Sequence, residues 1–260
     1  MLSKNQQKFI RSLHLKKMRD RYGSFLIEGG KIISDLLQSG ELHAGNLQLL
    51  TGSEAWLKSA GIHQTEIEKV AVVSDVEELQ KLSGLVTGPE VMAVVKIPQR
   101  TFQPEMLRDD LTVVLESIRD PGNLGTIIRT ADWFGIGNLV CSPDSVDTYN
   151  NKVVQSSMGA VIRLQPYYLD LEELFESAAR YKVPVYGTTM DGNDLFDTPV
   201  KVPGLIVFGN EAKGISKNFH SYFRETIRIP DFPVGRSGSE SLNVATSVAV
   251  VCAEIRRRNR

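Results

Sequence analysis

The chain has 260 residues, 42% of them hydrophobic, and a formal net charge of −1 at pH 7. This length suffices for two domains that each bury a core. The apolar runs are short and interrupted by Thr or Ser, which excludes a membrane span, and the N-terminus is basic and polar, unlike a signal peptide. We therefore predict a cytoplasmic protein whose overall charge gives no general attraction to nucleic acid.

Basic residues are nevertheless concentrated at the two ends of the chain. The chain closes with Arg256, Arg257, Arg258 and Arg260. Near the start, a single acid, Asp20, stands among seven basic residues: Lys4, Lys8, Arg11, Lys16, Lys17, Arg19 and Arg21. Both clusters can be interpreted as solubilising tails. Contacts with the phosphate groups of RNA become the better interpretation only if the rest of the chain binds RNA.

Cysteine and histidine spacing gives no sign of a disulfide framework or a metal site. Cys141 lies in a strand-like run and Cys252 in an apolar helix, so we predict that both are buried as small hydrophobic side chains. The four histidines show no ligand spacing to one another or to the cysteines: His14, His43, His63 and His220. We therefore predict that the protein binds no metal ion.

The N-terminal part of the chain predicts a small α/β domain. From Ser24 onward, short β-branched runs alternate with helical patterns in the order "FLIEG", "GKIISDLLQSG", "NLQLLTG", "EAWLKSA", "KVAVVS", "DVEELQKLSG" and "VMAVVKIP". The following segment has two prolines and no periodicity, which is typical of a linker. We predict a first domain over 1–98, a linker over 99–110 and a second domain over 111–260.

The second domain predicts a mainly parallel sheet. Strands are expected in "LTVVLES", "NLVCSP", "IRLQPYY", "VPVYGTTM", "GLIVFGNE" and "TIRIP", with helices between most of them and a last helix in "SLNVATSVAVV". Ligands of such sheets bind beyond the carboxyl ends of the strands. Polar and glycine-rich segments cluster at those ends, including "RDPGN", "TTMDG" and "GNEAKG".

The first of these segments opens a helix in "NLGTIIRTADWFG". Asn123 is a plausible N-cap, and an apolar stripe with helical spacing packs on the sheet: Leu124, Ile127, Ile128, Ala131 and Phe134. Arg129 lies off that stripe, close to the predicted ligand edge. It is either an ordinary surface arginine or a ligand contact.

The second segment follows an apolar strand in "LIVFGNEAKGIS". It is not a P-loop, because Ile215 follows Gly214 where that motif requires Lys, and no G-x-G-x-x-G dinucleotide fingerprint follows any strand. Glu211 either caps the next helix or faces a ligand, and its place beside a glycine turn at a strand end favours a ligand.

The third segment leads into the last helix. Ser239 or Ser241 can cap this helix, and Ala245, Ala249 and Ala253 form a smooth seam along it. An apolar surface all round predicts burial, which in a domain of this size suggests a partner subunit. Asn243 would then cost about 1–3 kcal/mol unless it is hydrogen-bonded, so we expect it to contact the ligand site and the neighbouring loops.

In this order and separation, the three segments resemble the SpoU (TrmH-type) RNA 2′-O-ribose methyltransferases of the SPOUT superfamily, over about Leu111 to Arg258. The resemblance implies a trefoil knot, a homodimer and S-adenosylmethionine as cofactor. The implied cofactor contacts are Thr188, Thr189, Gly209, Asn210, Ile229, Ser241 and Leu242. Arg129 would bind the target nucleotide and activate its hydroxyl, with Asn123, Glu211 and Asn243 completing the catalytic group.

The N-terminal region is similar to the substrate-binding domain often fused in front of this family, whose fold resembles a kink-turn-binding ribosomal protein. Its basic first residues then become predicted RNA contacts. Ribosomal RNA is the favoured substrate and transfer RNA the alternative. A non-catalytic RNA-binding or assembly protein of the same fold is the rival from another class, and a dinucleotide-dependent α/β enzyme is disfavoured by the missing fingerprint.

Overall fold

The structure is a computed structural model that describes residues 1–233 and 241–259. In these ranges the helices are α1 Lys4–Ser12, α2 Lys16–Tyr22, α3 Gly30–Gln38, α4 Glu54–Ser59, α5 Val76–Leu82, α6 Pro121–Trp133, α7 Asn151–Ser157, α8 Ala160–Arg163, α9 Leu171–Arg180 and α10 Val244–Arg258. The strands are β1 Ser24–Glu28, β2 Leu47–Gly52, β3 Ala71–Val73, β4 Val91–Lys96, β5 Leu111–Leu115, β6 Asn138–Cys141, β7 Tyr167–Tyr168, β8 Val185–Asp194, β9 Gly204–Phe208 and β10 Glu225–Arg228.

The chain forms two compact units. The first comprises Met1–Gln99 together with Tyr149–Arg163, and the second comprises Arg100–Thr148 and Leu164–Arg260. Every strand and helix predicted between Ser24 and Pro98 is present in the first unit.

The sheet of the first unit has the strand order β1-β4-β2-β3, with β4 antiparallel to both of its neighbours. The carboxyl ends of β1 and β2 therefore lie on either side of the beginning of β4. Backbone hydrogen bonds fix the chain there, because the Gly29 amide donates to the Val91 carbonyl over 3.1 Å and the Ser53 amide donates to the Glu90 carbonyl over 2.9 Å. The helices α3 and α4 begin at this edge.

The core of the first unit is completed by a segment from much later in the chain. Val154 and Val161 are buried in the same hydrophobic cluster as β1, β4 and α3. The Gln155 side-chain amide also donates to the Glu28 carbonyl over 2.6 Å. Residues 149–163, which the sequence placed in the domain over 111–260, thus pack in the first unit. The expected strand in "IRLQPYY" is shortened to β7 because its first two residues end α8.

The sheet of the second unit confirms the predicted parallel arrangement. Its strand order is β10-β8-β9-β5-β6-β7, and all five pairings are parallel. The carboxyl ends of β10, β8, β9 and β5 consequently lie side by side at one edge of the sheet. The knot that the family resemblance implies stays a prediction.

The segment 99–110 is folded onto the second unit. A short 3-10 helix, Pro104–Arg108, buries Leu107 fully in the second core. Asp110 accepts a hydrogen bond from Arg256 at 2.8 Å (Nη1 to Oδ1), and the Arg256 Nε donates to the Phe134 carbonyl over 2.9 Å. The segment predicted as a linker is therefore anchored by the core and by an ion pair.

Two of the arginines predicted as a solubilising tail, Arg256 and Arg258, bind other parts of the second unit, whereas Arg257 is exposed and Arg260 lies outside the described residues. Arg258 donates from Nη1 to the Thr198 carbonyl over 2.8 Å. Arg257 and Arg258 both bind Glu254, one turn earlier on the same helix. Hydrogen bonding from Arg257, with further help from Arg258, lowers the pKa of Glu254 to about 2, although burial of the carboxylate opposes the change.

Cys141 and Cys252 are both buried, as predicted, and burial raises the pKa of the Cys252 thiol to about 12. Across residues 1–233 and 241–259, no three His, Cys, Asp or Glu side chains are grouped so that they could hold a metal ion. None of the helices described is both long and apolar enough to cross a membrane.

Candidate active site

The helix α6 starts directly after the loop that leaves β5. Its N-cap is Asp120, whose carboxylate accepts the backbone N–H of Asn123 over 2.8 Å, with Pro121 in the first turn. The predicted N-cap at Asn123 is therefore wrong. The pair Asp-Pro is the signal that was missed, since an acid followed by proline is favourable at a helix start. As predicted, Leu124, Ile127, Ile128 and Ala131 are buried along α6.

The N-cap of α10 is Asn243 itself. Its Oδ1 accepts the backbone N–H groups of Ala245 over 2.9 Å and of Thr246 over 3.3 Å. The predicted caps were Ser239 and Ser241, but Ser239 lies outside the described residues and Ser241 lies exposed before the cap. Asn243 therefore stands at the polar start of the helix and not inside its apolar part.

A chain of side-chain hydrogen bonds joins the three segments singled out in the sequence. The Asn243 Nδ2 donates to the Asn123 Oδ1 over 2.9 Å, and the Asn123 Nδ2 donates to the Glu211 Oε1 over 2.7 Å. The groups at its two ends fix the donor-to-acceptor direction of this chain. The Asn243 oxygen already accepts backbone N–H groups, and the Glu211 carboxylate can only accept. The amide orientations of Asn123 and Asn243 are thus determined by the network.

The loop after β9 is held from two sides. Glu116, at the end of β5, accepts the Ser216 backbone N–H over 2.9 Å and also binds the Ser216 hydroxyl. The Asn210 Nδ2 donates to the Ser117 carbonyl over 2.9 Å. Sequence reasoning did not single out Glu116, although its place at a strand end before "RDPGN" is the signal that could have indicated it. These contacts fix the loop that carries Glu211.

Gly209 permits the tight turn of that loop. A Cβ at this position would lie 2.2 Å from the Gly214 carbonyl carbon and 2.3 Å from the Ile215 nitrogen. Asn210 and Gly214 pair through both of their backbone groups, with N–O distances of 3.1 and 2.8 Å. A side chain at Gly209 would therefore open the loop.

The turn after β5 is also fixed by polar contacts. Ser117 has a φ of 54°, and its hydroxyl donates to Asp144 over 2.6 Å. Burial would raise the pKa of Asp144, but hydrogen bonds from Ser117 and Ser142 and the charge of Arg119 outweigh it and lower the pKa. An ionised Asp144 holds this unusual backbone conformation beside the start of α6.

The predicted cofactor residues lie within β8, directly after β9 and β10, and at the start of α10. Gly209 and Asn210 follow β9, Ile229 follows β10, and Ser241 and Leu242 precede the Asn243 cap. Thr188 and Thr189 lie in β8 just beyond its pairing with β9, and the Thr188 hydroxyl donates to the Val207 carbonyl over 2.9 Å.

The Thr189 hydroxyl is a buried polar atom without a hydrogen-bond partner in the described part of the chain. A buried hydroxyl that makes no hydrogen bond destabilises the folded protein. At this edge of the sheet, the arrangement suits a polar ligand that is bound between the strand ends and the start of α10.

Arg129 is not part of the hydrogen-bond chain. It is exposed and has no hydrogen-bond or ion-pair partner among the described residues. At about 100° per residue, it shares with Trp133 the face of α6 opposite the buried stripe. Trp133 is 84% exposed.

Within the single chain, α10 is buried on one side only, so its predicted burial all round stays a prediction that depends on a partner subunit. Val244, Val248, Val251 and Ile255 are buried, but Thr246 and Ala253 are exposed and Ala249 is half-buried. α6 and α10 lie side by side in parallel, because Asn123 contacts Asn243 at their starts and Arg256 contacts Phe134 at their ends. Each helix therefore has an exposed face besides the one buried in the second unit.

In the first unit, one of the predicted RNA contacts is instead buried. Arg19 is 3% exposed, and its Nη1 donates to the carbonyls of Leu13 over 2.8 Å and His14 over 3.0 Å. This guanidinium stabilises the turn between α1 and α2 and is not available to a phosphate. The other six predicted contacts are exposed, although Lys16 pairs with Asp20 at 2.8 Å: Lys4, Lys8, Arg11, Lys16, Lys17 and Arg21.

Comparison with known proteins finds two family matches. Residues 110–253, more than half of the chain, match the SpoU rRNA Methylase family, and residues 4–93 match the MRM3-like substrate binding domain. The chain is 30% identical over 258 residues to the 23S rRNA (uridine(2479)-2′-O)-methyltransferase of Streptomyces viridochromogenes, covering 94% of this chain and 86% of that protein.

Two solved structures are similar to this chain over almost its whole length. A putative RNA methyltransferase of the TrmH family from Porphyromonas gingivalis has 34% identity and a TM-score of 0.81, covering 99% of both chains. An AdoMet-bound rRNA methyltransferase from Sinorhizobium meliloti has 26% identity and a TM-score of 0.80, covering 99% of this chain and 96% of that one. The chain belongs to the SpoU rRNA methylase family.

Proposed function

We propose that this protein transfers a methyl group from S-adenosylmethionine to a ribose 2′-hydroxyl of ribosomal RNA. The observation that carries the proposal is the hydrogen-bond chain from Glu211 through Asn123 to Asn243, which unites the three segments of the family at one sheet edge. Ribosomal RNA is favoured over transfer RNA because two of the relatives aligned over more than nine-tenths of the chain are named as rRNA methyltransferases. A cytoplasmic location is part of the proposal.

The residues at the sheet edge fit the cofactor. The unpartnered Thr189 hydroxyl offers a polar contact, the Gly209 backbone lies at the end of β9, and Leu242, which is 51% exposed, offers an apolar surface. The Asn210 backbone N–H is bound to the Gly214 carbonyl, so its predicted contact with the cofactor would use another of its groups. The cofactor supplies an electrophilic methyl group on a sulfonium.

The protein must then align a ribose hydroxyl with that methyl group, and alignment contributes a large part of such a rate enhancement. We assign this positioning to Asn123, Glu211 and Asn243, whose orientations the network fixes. A guanidinium is not a base near neutral pH, so Arg129 would hold the nucleotide while a phosphate oxygen of the RNA accepts the hydroxyl proton.

The outer faces of α6 and α10 support a homodimer. Thr126, Arg129 and Trp133 are exposed on α6, and Thr246 and Ala253 are exposed on α10; an exposed Trp is typical of an interface. A two-fold pairing through this surface would direct Arg129 away from its own sheet and toward the partner's site. We therefore assign Arg129 to the site of the partner subunit.

The first unit would select the RNA. The exposed residues Lys4, Lys8 and Arg11 lie along one face of α1, since they are spaced four and three residues apart. Lys17 and Arg21 lie one turn apart on α2. Replacing Lys4 and Lys8 by Gln should weaken binding of ribosomal RNA and reduce its salt dependence by roughly one unit of slope for each lost contact, while AdoMet binding is unchanged.

The proposal is tested by incubating the full-length protein with ribosomal RNA and methyl-labelled S-adenosylmethionine and then digesting the RNA to nucleosides. We expect the label on the 2′-oxygen of one ribose. A non-catalytic assembly protein of this fold would bind RNA without transfer, and a tRNA enzyme would label transfer RNA instead.

A further inference from the structure

The start of α3 in the first unit lacks the usual capping contacts. Its N-cap is Gly29, with a φ of 113° and no side chain that could accept a hydrogen bond from the helix. The first turn contains no acidic residue. Gly29 is held in place because its own amide donates to the Val91 carbonyl over 3.1 Å.

The first-turn amides of α3 are therefore open donors. No residue in the described part of the chain accepts from the backbone N–H groups of Gly30, Lys31 or Ile32. Amides of a first turn have no partner inside their own helix. Together with the helix dipole they favour a negatively charged group at this point.

Trp56 supplies a further donor at the same point. It lies in the first turn of α4, whose Ser53 cap accepts the Trp56 backbone N–H over 3.2 Å. The side chain is 8% exposed, and its Nε1 lies 2.8 Å from the position that a Cβ on Gly30 would occupy. The indole N–H makes no hydrogen bond to a described residue and is not among the fully enclosed polar atoms, so it remains accessible as a donor.

The space beside these donors is kept open by Gly30. Any side chain there would meet the Trp56 indole, and the next nearest group is the Glu90 Oε2, 3.7 Å from the same Cβ position. Glu90 and Lys31 are both exposed, so one carboxylate and one ammonium stand at the rim. The donors at this point, the α3 backbone amides and the Trp56 indole N–H, are therefore neutral, and the charged groups nearby, Glu90 and Lys31, have opposite signs.

We propose that the start of α3 and the Trp56 indole N–H bind a phosphate group of the RNA substrate. The chemistry is that of an oxyanion accepting from neutral donors, with Lys31 adding charge and Glu90 opposing it. This inference rests on the proposed function, because it identifies one RNA contact of the first unit. Free inorganic phosphate has the same chemistry, and the test separates the two sources.

Trp56→Phe removes the donor and retains most of the packing. We expect filter binding of the full-length protein to ribosomal RNA to weaken roughly ten-fold at fixed salt, as for a lost charge-assisted hydrogen bond. The slope of log K against log salt should stay constant because no cation is lost. Lys31→Gln is the matched control and should lower that slope by about one. Unchanged RNA affinity in the Trp56→Phe protein would overturn the proposal.

Glu90→Gln tests the same site in the opposite direction and does not depend on packing. Loss of the rim carboxylate should tighten RNA binding several-fold at low salt, and Gly30→Ala should weaken it. Inorganic phosphate at millimolar concentration should compete with RNA for the wild-type protein more than for Trp56→Phe. Phosphate binding at Trp56 with no effect on RNA affinity would assign the site to free phosphate and overturn the RNA proposal.

The inference and the proposed function fail in different ways. If the wild-type protein binds ribosomal RNA and methylates it while Trp56→Phe and Glu90→Gln are both indistinguishable from it, only the phosphate site is refuted. If the wild-type protein neither binds nor methylates ribosomal RNA, the proposed function is refuted and the RNA occupant of this site with it.

Discussion

Asn243 donates a hydrogen bond from its side-chain amide to the Oδ1 of Asn123 over 2.9 Å, although the two residues are 120 positions apart. The same Asn243 caps α10 through its oxygen. One side chain thus begins a helix and joins two segments of the site. Its removal should have a structural and a functional effect, which can be separated by the choice of substitution.

We expect Asn243→Asp to keep the cap and lose the donor, because a carboxylate still accepts from Ala245 and Thr246 but repels the oxygen of Asn123. Unfolding free energy should stay within about 1 kcal/mol of wild type while methyl transfer falls, by up to about 10²-fold if alignment is lost. Urea unfolding and a labelled-methyl assay measure the two effects. Asn243→Ser, which also caps, is the matched control. Full activity in both variants would remove the Asn123–Asn243 bond from the mechanism.

Arg129→Ala should retain S-adenosylmethionine binding and lose methyl transfer by roughly 10²- to 10³-fold, since a positive charge near the reacting groups is removed. Isothermal titration and a turnover assay separate these two properties. A variant with undiminished turnover would exclude Arg129 from the reaction.

Mixing Arg129→Ala with Asn123→Ala protein tests whether Arg129 acts in the partner's site. Each mixed dimer would contain one intact site, so random exchange should restore roughly a quarter of wild-type activity. Each variant refolded alone serves as the control. If both sites used their own Arg129, the mixture would remain as inactive as its components.

Trp133→Arg should dissociate the proposed dimer, because it replaces the large exposed aromatic side chain of the proposed interface by a second cation one turn from Arg129. Sedimentation equilibrium measures the association state. Val86→Arg is the matched control, since Val86 is fully exposed in the first unit and lies outside the proposed interface. A wild-type protein that is monomeric at micromolar concentration would contradict the dimer directly.

The stability of the second unit should depend on pH through Glu254. Hydrogen bonding from Arg257 lowers its folded pKa from an ordinary value near 4.5 to about 2. The ionised form therefore contributes stability that is present above about pH 4.5 and is lost as the pH falls toward 2. Urea unfolding at pH 6, 4 and 3 should show a steeper loss for wild type than for Glu254→Gln. Glu173→Gln, on the exposed side of α9, should behave like wild type.

Much of this site could be predicted from sequence because its residues are local signals at strand ends. Glu211 beside a glycine turn was identified on that basis. Asn243 was also identified, but it was expected inside the apolar helix with contacts to strand-end loops, whereas it is the N-cap of α10 and contacts Asn123 in the first turn of α6. The sequence predicted that a helix begins here, but it placed the N-cap of α6 at Asn123, three residues after the observed N-cap at Asp120.

Other features depend on distant packing that periodicity does not report. Arg19 sits in a basic run and resembles its neighbours in sequence, yet the turn between α1 and α2 needs its guanidinium for two carbonyl groups. Val154 and Val161 follow helical spacing, but that spacing does not say which core they enter. The apolar pattern of α10 likewise does not show which faces are buried within the chain and which are exposed.

The most direct measurement compares wild type with Asn123→Ala, using isothermal titration with S-adenosylmethionine and nucleoside analysis of labelled ribosomal RNA. We expect the wild-type protein to bind the cofactor saturably, with one site per chain, and to place the methyl group on a ribose 2′-oxygen. Asn123→Ala should remain folded and lose transfer. Label on a base, or a wild-type protein without saturable cofactor binding, would contradict the convergence of the three segments on a methyl-donor site.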